Sequence, residues 1–331
     1  MRCVLSAHGQ VTEGATTDQI DAAKASGDFF WLDIDSGDGT DEDVGGLATL
    51  LGRFAFHPLA VEDAEQFDQR PKLDDYDDLA YMVALGAPPK GSTKLVEVHL
   101  FITATFVVSV HRGSCEALAK VRIQLERHHA RDTVVPQAVL TYLVVDKLTD
   151  SFFPALAAFD ETIDELEDEI LRQPTEAQLG TIFDMKRQLM IFRRGITPQR
   201  DMFASLSGGV TDLPGTTDEA ARYFRDLYDH LIRLSDMVDS YRDLLSGVMD
   251  THLSTVSNRL NVVMKQLAII ATIFLPLSFL TGFFGQNFAV LVRWITPGWT
   301  FWVLGIGTEL TAIVLLMVLF VRRGWLGGPT A

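Results

Sequence analysis

Apolar and polar positions along this chain fall into three regimes. Up to residue 135, short β-like runs alternate with helical stretches. Phe29–Asp35 (FFWLDID), Tyr81–Leu85 (YMVAL) and the two halves of Val96–Arg112 (VEVHLFITATFVVSVHR) are rich in β-branched and aromatic residues and predict four strands. Helical patterns near 17–26, 40–54 and 115–128 separate them, so residues 1–135 read as a modest α/β domain.

Beyond Val135 the pattern becomes wholly helical, and residues 136–265 read as a helical stalk. Phe152, Leu156, Phe159, Ile163, Leu166 and Ile170 recur at alternating steps of four and three, a coiled-coil-like stripe. The other face of that helix carries Asp160, Glu161, Asp164, Glu165, Glu167, Asp168 and Glu169, either a solvated face or one that attracts cations. A later helix, starting near Thr217, repeats the stripe at Leu227, Leu231, Leu234, Val238, Tyr241, Leu245 and Val248. No proline interrupts it before Pro276. The simplest reading is one very long helix that needs self-association around an axis to be held.

The third regime is apolar throughout. Residues 266–285 contain the uncharged run LAIIATIFLPLSFLTGFF, and residues 299–321 contain one acid, Glu309. Each is long enough to cross about 30 Å of hydrocarbon as a helix, and Trp294, Trp299 and Trp302 supply aromatic flanks. Arg259 and Lys265 precede the first span, and Arg322 and Arg323 open a basic tail, 322–331. The positive-inside tendency then places both ends in the cytoplasm of a cell membrane and the loop 286–298 outside.

Spacing also picks out one face of the long helix. From Asp250 it runs through Ser254, Ser257, Asn261, Met264, Leu267 or Ala268, Ala271, Leu275, Ser278 and Gly282 to Gly285, beside Asn287. Small polar groups alternate with a few apolar constrictions. Such a face suits either close helix packing or a water-filled channel. As a channel it would serve a hydrated ion. Mg²⁺ sheds water reluctantly, so amide and carbonyl oxygens bonded to its water shell suit it, and apolar rings can gate by dewetting. Zn²⁺ favours His or Cys, which this face lacks, although a hydrated Zn²⁺ fits the same oxygens.

Charge supports a cation. The 331 residues contain 44 Asp and Glu against 28 Lys and Arg, a formal net charge of −16. That balance argues against nucleic-acid binding, which rests on basic residues. Cys3 and Cys115 form neither a disulfide framework nor a CxxC pair, which points to a reducing compartment. The start, MRCVLSAHGQ, lacks a signal peptide's apolar core. No phosphate loop, nucleophile elbow or zinc-protease helix occurs, so an enzyme is not expected.

The stretches YFRDLYDHLIRLSDMVDSYRDLLSGVMD, TVSNRLNVVMKQLAIIATIFLPLSFLTGFFGQNF, HPLAVEDAEQFDQRPKLDDYDDLAYMV and the tail RRGWL resemble the CorA-type divalent cation transporters over most of the chain. The resemblance implies a homopentameric funnel in the lipid membrane, with the first span lining a pore. The family's outer mouth is Gly-Met-Asn; here Gly285, Gln286 and Asn287 stand there. The middle residue departs, as it does in the ZntB zinc branch, and the loop AVLVRWITPG carries Arg293 and no acid. The implied pore and gate residues are Asp250, Asn261, Met264, Leu267, Ala271, Leu275, Ser278 and Gly282. The implied regulatory Mg²⁺ joins Asp77 and Asp78 of one subunit to Asp226 of the next. Mg²⁺ is thus both substrate and regulatory ligand, with no other cofactor. The expected function is channel-like import of hydrated Mg²⁺, with Co²⁺ or Ni²⁺ as further cargo. The alternatives are a Zn²⁺ transporter, proton-coupled through Glu309, and a membrane-anchored sensor that does not conduct.

Overall fold

A computed structural model describes residues 1–7, 10–37, 41–89, 91–129, 137–215, 218–286, 289, 293 and 298–325. It divides into two compact units, residues 1–249 and 250–331.

The first unit is built on a seven-stranded sheet. Its strands are β1 (Arg2–Ala7), β2 (Gln10–Glu13), β3 (Phe30–Asp35), β4 (Lys72–Tyr76), β5 (Leu79–Gly86), β6 (Val96–Ile102) and β7 (Phe106–His111). Their order is β2-β1-β3-β7-β6-β5-β4, and only the β3–β7 pair is parallel. The four expected strands are β3, β5, β6 and β7, which form the middle of the sheet. Side chains alternate between its faces. Tyr81, Val83, Phe101, Val108 and Val110 join a core closed by α1 (Thr17–Ser26), α2 (Asp41–Gly52) and α3 (Pro58–Gln66). Ala80, Met82, Ala84, Val98 and Leu100 join the core on the other face.

That second core is helical. It holds α4 (Glu116–His129), α5 (Gln137–Asp150), α6 (Phe152–Arg172), α7 (Glu176–Ser207) and the first part of α8 (Asp218–Phe284). The buried residues of α6 are the six of the predicted stripe, and all seven stripe residues of α8 are buried as well. The acids on the other face of α6 are exposed. Two close contacts set α5 and α7 on the end of β5. A Cβ on Gly86 would lie 2.9 Å from a Leu148 methyl group and 3.3 Å from the Leu148 carbonyl oxygen, so only glycine admits α5 this close. Gln199 of α7 accepts the Leu85 backbone N–H at 2.6 Å.

A charge is buried between sheet and helix. Asp33 accepts the Ser109 hydroxyl at 2.6 Å, and Ser109 in turn accepts the Trp31 indole N–H at 2.9 Å. The other charges around it are His111 Nε2 and Arg122 Nη1, each 3.5 Å away. Burial disfavours a charged His111 imidazole, but the Asp33 carboxylate and the nearby Asp35 outweigh it and raise the group above its ordinary 6.5. A raised folded-state value stabilises the fold fully below the unfolded value and loses that effect as pH rises through the folded value. The melting temperature of the first unit is therefore expected to fall as pH rises past about 6.5. Thermal melts across pH 6 to 9 check this, and His111→Gln should flatten that part of the profile.

Candidate functional site

The second unit opens on α8, which continues without a break through Pro276 to Phe284. Pro276 has no N–H, so the carbonyl of Thr272 loses its helical partner. The second membrane-length helix, α9, covers Gly298–Arg322. Its segment Phe301–Gly307 is π-helical, and regular α-helix resumes at Thr308.

Burial separates two faces of the span in α8. Ile269, Ile273, Pro276, Leu277, Leu280 and Phe284 are half-buried. Pro276 and Leu280 line an open groove with Trp302, Gly307, Thr311 and Leu315 of α9. The expected pore residues Ala271, Leu275, Ser278 and Gly282 each lie two positions from a half-buried one and are exposed. Two positions on a helix is a rotation of about 200°. The small-residue face therefore points away from α9. Asp250, Asn261, Met264 and Leu267 are also exposed, and Leu275 is open to 73%.

At the expected mouth, α8 ends where the Gly285 N–H bonds the Thr281 carbonyl at 3.0 Å and the Gln286 N–H bonds that of Phe283 at 3.3 Å. Gly285 and Gln286 are exposed. Asn287 lies outside the described residues. Glu309 is half-buried on α9, and the Thr281 hydroxyl donates to its Oε1 at 2.9 Å. The Thr308 and Thr311 hydroxyls beside it bond backbone carbonyls of their own helix.

The expected regulatory acids fall in different places. Asp77 and Asp78 form the exposed two-residue turn between β4 and β5, with Asp77 at φ +56°. That left-handed conformation is tolerated by Asp and suits a tight hairpin. Asp226, on α8, accepts the Tyr142 hydroxyl of α5 at 3.0 Å. The Tyr142 phenol is pushed well up, by burial first, then by the charge of Asp146 and the bond to Asp226.

One turn along the same α5–α8 seam is a group that sequence reasoning missed. Among the described residues, Asp146, Asp150 and His230 are the one set of three metal-capable side chains whose ligand atoms all lie within 4.8 Å of one another. Their sequence signal was a pair of acids four apart on α5, and a His four beyond Asp226 on α8. The Lys147 ammonium bonds both carboxylates at 2.8 Å. Burial works against its charge, but the two bonds to Asp146 and Asp150 outweigh that and hold it above the ordinary lysine value. A divalent ion entering between these acids would have to displace a tethered cation.

A family model described as "CorA-like Mg2+ transporter protein" matches residues 26–323. The cobalt/magnesium transport protein CorA of Thermotoga maritima is 34% identical over 278 residues, covering 82% of this chain and 78% of its own. A zinc transport protein ZntB of Pectobacterium carotovorum is 30% identical over 198 residues, 59% of this chain and 58% of that one. The complete structure of the CorA magnesium transporter from Methanocaldococcus jannaschii superposes with a TM-score of 0.80 at 20% identity, covering 98% of this chain and 99% of that one.

Proposed function

The chain belongs to the CorA-like Mg²⁺ transporter family, and from that premise we propose that it imports hydrated Mg²⁺, with Co²⁺ or Ni²⁺ as further cargo, through a pore lined by α8. The observation that carries this reading is the exposed stripe Ala271, Leu275, Ser278 and Gly282, turned away from the half-buried face of the same helix. A stripe facing lipid would be bulky and apolar. This one alternates small and polar positions with the two constrictions at Met264–Leu267 and Leu275.

Five copies around an axis would bring these stripes together. Gly285, Gln286 and Asn287 would then ring the outer mouth with uncharged oxygens for the ion's water shell. Asp250 would form an acidic ring that concentrates the cation at the cytoplasmic end. The driving force is electrical: a divalent ion gains about 4.6 kcal/mol on entering through 100 mV, inside negative. Both termini lie in the cytoplasm of a cell membrane in this reading, with Arg322 and Arg323 at the inner face.

Closure would follow from a second, regulatory Mg²⁺. Asp77 and Asp78 are open on their turn and free to meet Asp226 of the partner subunit. Facing carboxylates repel, and a divalent ion between them removes the repulsion. Its loss would let subunits splay and widen the constriction at Met264 and Leu267.

Purified protein in liposomes tests the function. With a Mg²⁺ dye inside and an inside-negative potential, Mg²⁺ entry should follow voltage and ignore a pH gradient. The ZntB relative and Gln286 in place of the family's Met favour Zn²⁺ as the second reading. Zn²⁺ entry that requires a pH gradient would establish that reading instead. No flux of either ion, at low internal Mg²⁺, would leave a membrane-anchored sensor.

A further inference from the structure

Glu309 is an acid within a membrane-length helix, and its carboxyl oxygen meets a hydroxyl on the other such helix, at Thr281. Intramembrane acids are costly and are kept where they do something. Thr281 stands in the last turn of α8. Its hydroxyl is shared between Glu309 Oε1 at 2.9 Å and the Leu277 carbonyl at 2.8 Å, while its own carbonyl receives Gly285 N–H at 3.0 Å. Thr281 is thus bonded at once to α9, to the turn below and to the first residue of the mouth.

The outer end of α8 needs such a hold. Pro276 breaks the hydrogen-bond ladder one turn below Leu280, so the segment 277–284 is tied less firmly to the helix beneath it. Facing it, Gly307 and Thr311 line an open groove with Pro276 and Leu280. The π-helical segment Phe301–Gly307 ends one residue before Thr308, and a π turn re-aims the side chains that follow it. Glu309 is the second residue after that turn.

We propose that Glu309 is a positioning residue for transport: through Thr281 it sets the rotation and height of the last turn of α8, and so the placement of Gly285 and Gln286 at the mouth. This rests on the reading of α8 as the pore helix. The bond lies within one chain, so it orients each subunit's mouth separately.

The test uses full-length protein in proteoliposomes, with wild-type flux measured first; wild-type protein that does not conduct overturns the transport reading, and the labelling arm below still tests the Glu309 link. Glu309→Leu is expected to lower Mg²⁺ uptake about tenfold, the scale of one strong interhelical hydrogen bond, and to change the Mg²⁺:Co²⁺ uptake ratio. Glu309→Gln keeps a hydrogen-bonding group in place and should stay within about twofold of wild type. Thr281→Val should match Glu309→Leu, and the double variant should be no worse than either single one, because both remove the same bond. The labelling arm places Gln286→Cys in each background and measures its rate of reaction with a membrane-impermeant charged maleimide. The rate should shift severalfold with Glu309→Leu and Thr281→Val but not with Glu309→Gln. Independent, multiplying losses in the double variant, a Gln variant as poor as Leu, or unchanged labelling would each overturn the proposal. If Glu309→Leu does not assemble, Thr281→Val and Glu309→Gln still decide it.

Discussion

Asn287→Ala is expected to cut Mg²⁺ uptake into proteoliposomes to below about a tenth of the wild-type rate. The reason is the way a small, strongly hydrated ion is held. Mg²⁺ keeps its waters, so a selective mouth grips the water shell with oxygens. An ordinary hydrogen bond contributes about 0.5–1.5 kcal/mol, and in the proposed pentamer five such bonds to the water shell are lost together, which exceeds the about 1.4 kcal/mol of a tenfold change. Around the expected mouth the sequence offers little else to attract the ion. The loop after the mouth carries Arg293 and no acid, and Gln286 offers only another neutral amide. Asn287→Asp keeps an oxygen at the site and should retain capture while slowing release. Dye-loaded vesicles under an inside-negative potential measure both variants. An Asn287→Ala protein that conducts like wild type would remove the capture role from this residue.

Asp33→Leu is expected to destabilise the first unit by about 3–5 kcal/mol, the cost of leaving buried charges without their partner. The Asp33 side chain is 1% exposed. Without it Arg122 and His111 lose their shared carboxylate partner, and the Ser109 hydroxyl loses its acceptor. For a body of this size each kcal/mol is worth about 2–4 °C, so the melting temperature should drop by about 6–20 °C. Asp33→Asn, which still accepts from Ser109, should cost less. Near-ultraviolet circular dichroism melts of the purified protein follow this unit. A shift under 2 °C for Asp33→Leu would mean that water reaches the site and screens it.

The two helical stripes were legible because a repeat of four and three can be buried in one way only. Every predicted stripe residue of α6 and α8 lies in the core. The central strands were equally plain, since β3, β5, β6 and β7 are buried on both faces and therefore run apolar. The edge strands β2 and β4, the strand β1 beside β2, and the short helix α3 went unread. Strand β4 is KLDDY, whose polar residues pair only on one side, and an edge strand needs no apolar run. Asp33 was hidden inside FFWLDID for a related reason: one acid in an apolar strand carries no period. Its partners Ser109, His111 and Arg122 are 76, 78 and 89 positions away, brought beside it by the parallel β3–β7 pairing and by α4.

Sequence alone determined which segments can span a membrane, which faces of the long helices are apolar, and where a stripe of small and polar residues breaks the apolar pattern. These are local properties, set by period and composition. Only the tertiary structure decided that this stripe lies opposite the half-buried face of its helix, that Glu309 reaches Thr281 on the other span, and that Lys147 sits between Asp146 and Asp150 beside His230. Such contacts depend on helix rotation and on distances between residues far apart in the chain. No spacing rule records them, because hydrogen bonds and charges act over a few ångströms in space and not along the sequence.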